Sequence, residues 1–457
     1  MNKQLICLTA CLALTLGGAN ALAARNVILF IGDGMDDQQI TIARNYLAGA
    51  AGKLVMDKMP LRAASQVLTV SEQGQVVYVA DSANTATSMA TGHITSRGRI
   101  ATSAGTDKPL LSIVAMAEAA GLKTGLVTTA SVTDATPAAF VANINMRYCE
   151  NPQAIFGTEV SGITLPDCPA YTKANGGPGS ISEQIAASGV DVVLGGGRKH
   201  FDMPAEGSSD SVRAQAEANG FTVIDAANQL TSAATDTKLL GLFSASTMPV
   251  RLRGESGRKA ESPTPSWANR VHPYLGSVTL PAPMRCEPNP EYAGMPSLLE
   301  MTSTALQRLD NEAGFFLMIE SASIDKQSHE RKPCGSIGEV AQLEEALQAA
   351  LAFVETNPET LILVTADHAQ AAQLVPATSL FKEYPIPVYT PGRVARIVTA
   401  EDAILAVNYA TNSFPYEEHS GANVPLFANS EGLGRVPTLV RQTEIFTIVR
   451  DYLSLHN

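Results

Sequence analysis

Asn26-Val27-Ile28-Leu29-Phe30-Ile31 runs directly into Gly32-Asp33-Gly34. The apolar stretch is too short for an ordinary buried helix and has no polar face, which suits a strand covered on both sides. It ends on a carboxylate held between two glycines, and the same grammar recurs. Gly125-Leu126-Val127-Thr128-Thr129 leads toward Asp134 and Thr136, and Val192-Val193-Leu194 meets three glycines. Phe315 to Ile319 ends on Glu320, and Leu361 to Thr365 is followed by Asp367-His368. Between these runs the period changes. Leu343, Leu347, Leu351 and Val354 recur at helical spacing, and Leu110 to Ala120 reads as a helix closed by Gly121. Alternating strands and helices predict a doubly wound α/β fold, with a mainly parallel central sheet flanked by helices and carrying surface insertions. Such sheets bind ligands beyond the carboxyl ends of their strands, where the polar residues above would sit.

The first 23 residues read differently. Lys3, an apolar run from Leu5 to Leu16 and Ala21-Leu22-Ala23-Ala24 form the pattern of a cleaved export signal. Leu8-Thr9-Ala10-Cys11 offers a lipoprotein reading, but the apolar run before that cysteine is short. The expectation is a periplasmic or secreted protein, with 24–457 forming a single domain. No later segment approaches the ~20 apolar residues of a membrane span, so no membrane partner is expected. The net charge of −12 gives no general attraction for nucleic acid.

Two insertions are expected, near 205–290 and 374–404. Within the first, Arg251 to Pro290 holds seven prolines and the cluster Arg251, Arg253, Arg258 and Lys259. It reads as a surface excursion, and a solvated loop explains the cluster better than a phosphate site does. Cys149, Cys168, Cys286 and Cys334 lie beyond the leader. An even number in an exported chain points to disulfides, and of the three connectivities chain order closes the shortest loops.

Several residues point to metal-assisted chemistry. Asp367 and His368 are adjacent where a strand leaves the sheet. Asp325 and His329 are one helical turn apart and share a face. His419 sits in Glu418-His419-Ser420-Gly421 without an apolar pattern around it. Mixed nitrogen and oxygen donors favour zinc. Each pair alone has a bland reading, as a turn or an ordinary helical pair. Glu320 is harder to dismiss, because a carboxylate ending five apolar residues needs a partner or a metal. In Asp81-Ser82-Ala83-Asn84-Thr85-Ala86-Thr87, Asp81 or Ser82 can cap the helix that ends before Gly92. A serine there also faces free backbone N–H groups suited to phosphate. No Gly-x-Ser-x-Gly elbow is present, so activation by metal fits better than a triad.

In this order, these motifs resemble the alkaline phosphatases, most closely the bacterial periplasmic branch. The likeness rests on Gly32-Asp33-Gly34-Met35, the Ser82 motif, Asp134-Ala135-Thr136-Pro137, Glu320 through His329, Thr365 through Ala369 and Glu418-His419. The resemblance implies two Zn2+ and one Mg2+ per subunit. One zinc would take Asp325, His329 and His419, the other Asp33, Asp367 and His368. Magnesium would take Asp33, Thr136 and Glu320. The resemblance further implies Ser82 as nucleophile, Arg147 as phosphate clamp, Asp134 and Lys326 behind them, phosphate monoesters as substrates, and a homodimer. Asp36 and Asn84 depart from the pattern and add a carboxylate and an amide near the site. His93, His200, His272 and His456 match no motif and read as structural or surface residues.

Overall fold

The first apolar run forms β1 (Arg25–Gly32), at the heart of a ten-stranded sheet. The computed structural model describes residues 25–160, 162–234, 236–377 and 391–455. The leader, His456 and the middle of the second expected insertion lie outside them.

Alternation along β1 explains the layers. Val27, Leu29 and Ile31 join one apolar cluster, and Ile28 and Phe30 join another on the opposite face, all at most 1 % exposed. Burial of each such side chain contributes about 1.5–3 kcal/mol. The first cluster is closed by α2 (Ser82–Thr91), α3 (Ile113–Ala119) and α4 (Ala135–Val141). The second is closed in part by α1 (Asp37–Leu47) and α6 (Pro333–Thr356), the helix foreseen from Leu343, Leu347 and Val354. A short α5 (Ser323–His329) precedes α6. The fold is the doubly wound α/β architecture expected.

The remaining strands are β2 (Leu61–Gln66), β3 (Lys123–Ser131), β4 (Val192–Gly196), β5 (Phe221–Ile224) and β6 (Lys238–Leu242). They continue with β7 (Gly314–Ser321), β8 (Thr360–Ala366), β9 (Val424–Ala428) and β10 (Leu439–Arg441). Their spatial order is β10-β2-β9-β8-β1-β7-β3-β4-β6-β5, and only β9 runs against the rest. Parallel register sets Ile31 beside Glu320 and Gly32 beside Ala366. Asp33, Glu320 and Asp367 therefore emerge together at one edge.

Residues 221–242, within the first stretch expected as an insertion, supply β5 and β6 to the sheet. The chain leaves the sheet afterwards and is tied back by Cys286–Cys334, which fastens it to the first turn of α6. Cys149 pairs with Cys168, so both disulfides follow chain order. The basic cluster is largely neutralised: Arg251 pairs with Glu345, Arg253 with Glu287 and Arg258 with Glu261. Strands Gln373–Val375, Arg393–Val398 and Ile404–Tyr409 form a separate small sheet in the second stretch. No helix among the described residues is long and apolar enough to cross a membrane.

Candidate active site

Asp81 caps α2 through Asn84 N–H, and Ser82 becomes the first helical residue. Asn84 returns the bond, its side chain accepting from Asp81 N–H. The unusual amide is thus half of a capping box. Asp36 likewise caps α1, accepting from Gln38 and Gln39 N–H. Both departures from the resemblance are used to start helices.

Ser82 Oγ lies 3.2 Å from His368 Nε2. The same nitrogen is 3.3 Å from a carboxylate oxygen of Asp33 and 3.3 Å from one of Asp367. Gly34 adopts a left-handed φ of +67° and gives its N–H to Asp367. A Cβ there would come within 3.1 Å of Asp325 Cβ, so glycine serves both the turn and the close approach. A second triad lies alongside. His329 Nε2 is 3.2 Å and His419 Nε2 3.4 Å from the Asp325 carboxylate, and the two nitrogens are 3.0 Å apart. Within each triad the donor atoms lie within 4.8 Å of one another, as a shared metal ion requires.

Backbone carbonyls orient the imidazoles. Nδ1 of His419 donates to Ala80 C=O at 2.8 Å, and Nδ1 of His329 donates to Glu417 C=O. A carbonyl only accepts, so the proton sits on Nδ1 and the Nε2 lone pairs face inward.

Electrostatics gives an independent test of fit. Asp33, Glu320, Asp325 and Asp367 are all buried. Burial, followed by the charges of Asp367, Asp325 and Glu320, pushes Asp33 well above the carboxylate range. Burial likewise pushes Glu320 up to about 8, and His368 down to about 4. Burial opposes ionisation of Asp325 too, but His329 and His419 overcome it and hold its carboxyl low. Glu320 accepts from Thr128. The buried Thr136 hydroxyl, beside Glu320, and Asp33 Oδ1, 3.3 Å from His368 Nε2, make no well-formed hydrogen bond. Crowded carboxylates with orphaned oxygens are costly alone and suit divalent cations.

Arg147 approaches from Asn145-Met146-Arg147-Tyr148-Cys149. It donates to Asp134 at 3.0 Å and to Asp81 at 3.3 Å. Lys326 donates to the other oxygen of Asp134. Burial opposes charging Asp134, but these two cations hold its carboxyl far below the usual range. Lys326 also borders a cavity of about 440 Å³ shared with Arg253, Arg258, Ser323 and Gln327. Ser82, Arg147, Asp134, Lys326 and the carboxylates and imidazoles of the two triads thus gather at one edge. Asp81 as anchor of Arg147, Thr128 behind Glu320 and Gln370, which donates to Asp325 at 2.6 Å, went unread. Asp81 carried a capping signal only, and Gln370 none beyond its place two residues after His368.

A doubly wound sheet carrying a serine and two ligand triads at its carboxyl edge defines a metal-binding hydrolase of the α/β class. The alkaline phosphatase family model matches residues 24–455, and the chain belongs to that family. It is 39 % identical to streptomycin-6-phosphate phosphatase of Streptomyces griseus, over 94 % of this chain and 91 % of that one. It is 38 % identical to alkaline phosphatase of Escherichia coli K12, over 94 % and 86 %. In fold it is similar to alkaline phosphatase from the Antarctic bacterium TAB5, with a TM-score of 0.68, 22 % identity, and 95 % and 100 % coverage. The activity of this class is hydrolysis of phosphate monoesters.

Proposed function

We propose that the protein hydrolyses phosphate monoesters through a phosphoserine on Ser82, and that turnover depends on metal. The observation that carries this is the placement of Ser82 Oγ 3.2 Å from His368 Nε2, within one ligand triad and close to a second. Zinc would be held by Asp325, His329 and His419, and a second zinc by Asp33, Asp367 and His368. Magnesium would be held by Asp33, Thr136 and Glu320. Bound there, such ions supply Lewis acidity that makes a serine hydroxyl, a leaving alkoxide and a water more acidic.

The chain's own groups do the rest. Arg147, aligned by Asp81 and Asp134, takes two nonbridging phosphate oxygens with its planar fork. Ser82 Oγ attacks phosphorus as the ester P–O bond breaks, and the alcohol leaves. Water then attacks the phosphoserine, the Ser82–phosphorus bond breaks, and inorganic phosphate departs. Lys326 stands behind Asp134 and adds positive charge near the phosphate.

The leader pattern supports export and a periplasmic or secreted enzyme that scavenges phosphate, working as one α/β domain and as a homodimer. Hydrolysis of aryl phosphate, bis-aryl phosphate and aryl sulfate, each with and without chelator, tests the reading. Chelator-sensitive turnover of the monoester above the other two is expected. Preference for the diester or the sulfate would reject it.

A further inference from the structure

His200 matches no motif of the family and is buried, 3 % exposed. It follows Gly197, whose φ is +98° and whose absent Cβ would stand 2.2 Å from Ser131 Oγ. Only glycine lets this short helix close against the turn after β3. His200 Nε2 then lies 3.2 Å from Glu150 Oε2, and its Nδ1 lies 2.9 Å from Asn151 Nδ2.

The bonding roles are determined. Asn151 Oδ1 already accepts from Gln153 and Ala154 N–H, so its amide nitrogen is the atom facing His200. That nitrogen donates to Nδ1, which leaves the proton of the neutral ring on Nε2, directed at Glu150. Burial holds His200 down at about 4, so the ring stays neutral at working pH. Glu150 Oε2 also accepts from Thr133 Oγ1 at 2.6 Å, and Thr133 immediately precedes Asp134.

Two ties therefore join the segment 147–150 to the turn 133–134. One is Arg147 to Asp134, the other Glu150 to Thr133. With Arg147 as clamp, a bound phosphate would compete for its N–H groups and loosen the first tie. The second does not involve phosphate and keeps its hold.

We propose that Glu150 and His200 are positioning residues for the phosphate clamp, His200 fixing Glu150 on Thr133 so that Arg147 stays in register with Asp134. This rests on the reading of Arg147 as the clamp. Neither residue touches the reacting atoms, and together they act as a brace behind the clamp.

The test is steady-state kinetics on aryl phosphate with phosphate as inhibitor, alongside thermal melts. Glu150→Ala and His200→Ala are each expected to raise KM and phosphate Ki together, by roughly 10-fold, with kcat changed far less. His200→Gln, which keeps an N–H donor, and Glu150→Gln, which keeps an acceptor, should recover most of the loss. The double Ala variant should be no worse than Glu150→Ala alone, because one linkage is being cut twice. Thr133→Val removes the bridged hydroxyl at constant shape, and carries the same expectation if an Ala variant does not fold. A lowered melting temperature with unchanged KM and Ki overturns the inference, as does additivity in the double variant. Arg147→Ala is the reference: if it leaves Ki unchanged, the clamp reading itself has failed. If Arg147→Ala raises Ki and the brace variants do not, only the present inference falls.

Discussion

Arg147 and Lys326 meet on a single carboxylate, one cation on each oxygen of Asp134. Two positive side chains from distant segments are thereby held side by side without repelling each other out of the site. Asp134 caps α4, so their common support is anchored in a helix start.

Replacing Lys326 with Ala should weaken phosphate inhibition and raise KM. It removes a cation that favours the anionic product as well as the transition state. If product release limits turnover at alkaline pH, kcat should rise as well. Phosphate Ki and kcat measured above roughly pH 8, past the second phosphate pKa near 6–7, give the answer. An unchanged Ki would place Lys326 outside the phosphate's reach.

Ser82→Ala should fold and keep its phosphate affinity but lose turnover by roughly 10³ or more, the scale of losing an attacking group. Ser82 is the first residue of α2, while Asp81 makes the cap, so the helix start survives the change. Acid-quenched turnover with radiolabelled phosphate ester should label the native protein and leave the variant unlabelled. Label on the variant would move the nucleophile elsewhere.

Chelation should abolish activity and lower the melting temperature, and zinc with magnesium should restore both. Buried Asp33, Glu320 and Asp367 repel one another once the compensating charge is withdrawn. A melting curve indifferent to chelator would show that these carboxylates hold no ion.

Acid stability should depend on Glu72. Hydrogen bonds from Arg99 pull its carboxyl down to about 2 from an ordinary 4.5, against the opposing effect of burial. The folded state thus binds this proton less tightly than the unfolded state. Its contribution is complete above about 4.5 and fades as pH falls toward about 2. Glu72 is 45 % exposed, so solvent limits the effect to about 1 kcal/mol or less. The melting-temperature gap between the native protein and Glu72→Gln should be constant near neutrality and close through that acid window.

The central strands were legible because each is a run of apolar residues with no polar face, as β1, β7 and β8 are. β5 and β6 were not. They have four and five residues, β5 forming the edge of the sheet and β6 lying next to it, and runs so short carry little pattern. The residues of the two carboxylate–imidazole clusters could be picked out because each ends a strand or sits on a short motif. Direction of side chains was the missing quantity elsewhere. Asp36 and Asn84 looked like additions to the site until backbone geometry turned them into caps. Glu150 and His200 lie fifty positions apart, with nothing local to mark either as half of a pair.

β9, the one strand that runs against the others, enters the sheet between β2 and β8 although it is nearly the last to be made. The loop leading into it carries His419, and Ser420 bridges to Ala369 beside His368. The triad of Asp325, His329 and His419 therefore waits for a segment from the far end of the polypeptide. A nascent chain threaded out N-terminus first has already emitted Asp33 and Ser82 long before His419 appears. Until that segment arrives the cluster around Asp325 and His329 stays one imidazole short, so the constellation is completed from the carboxyl side of the chain.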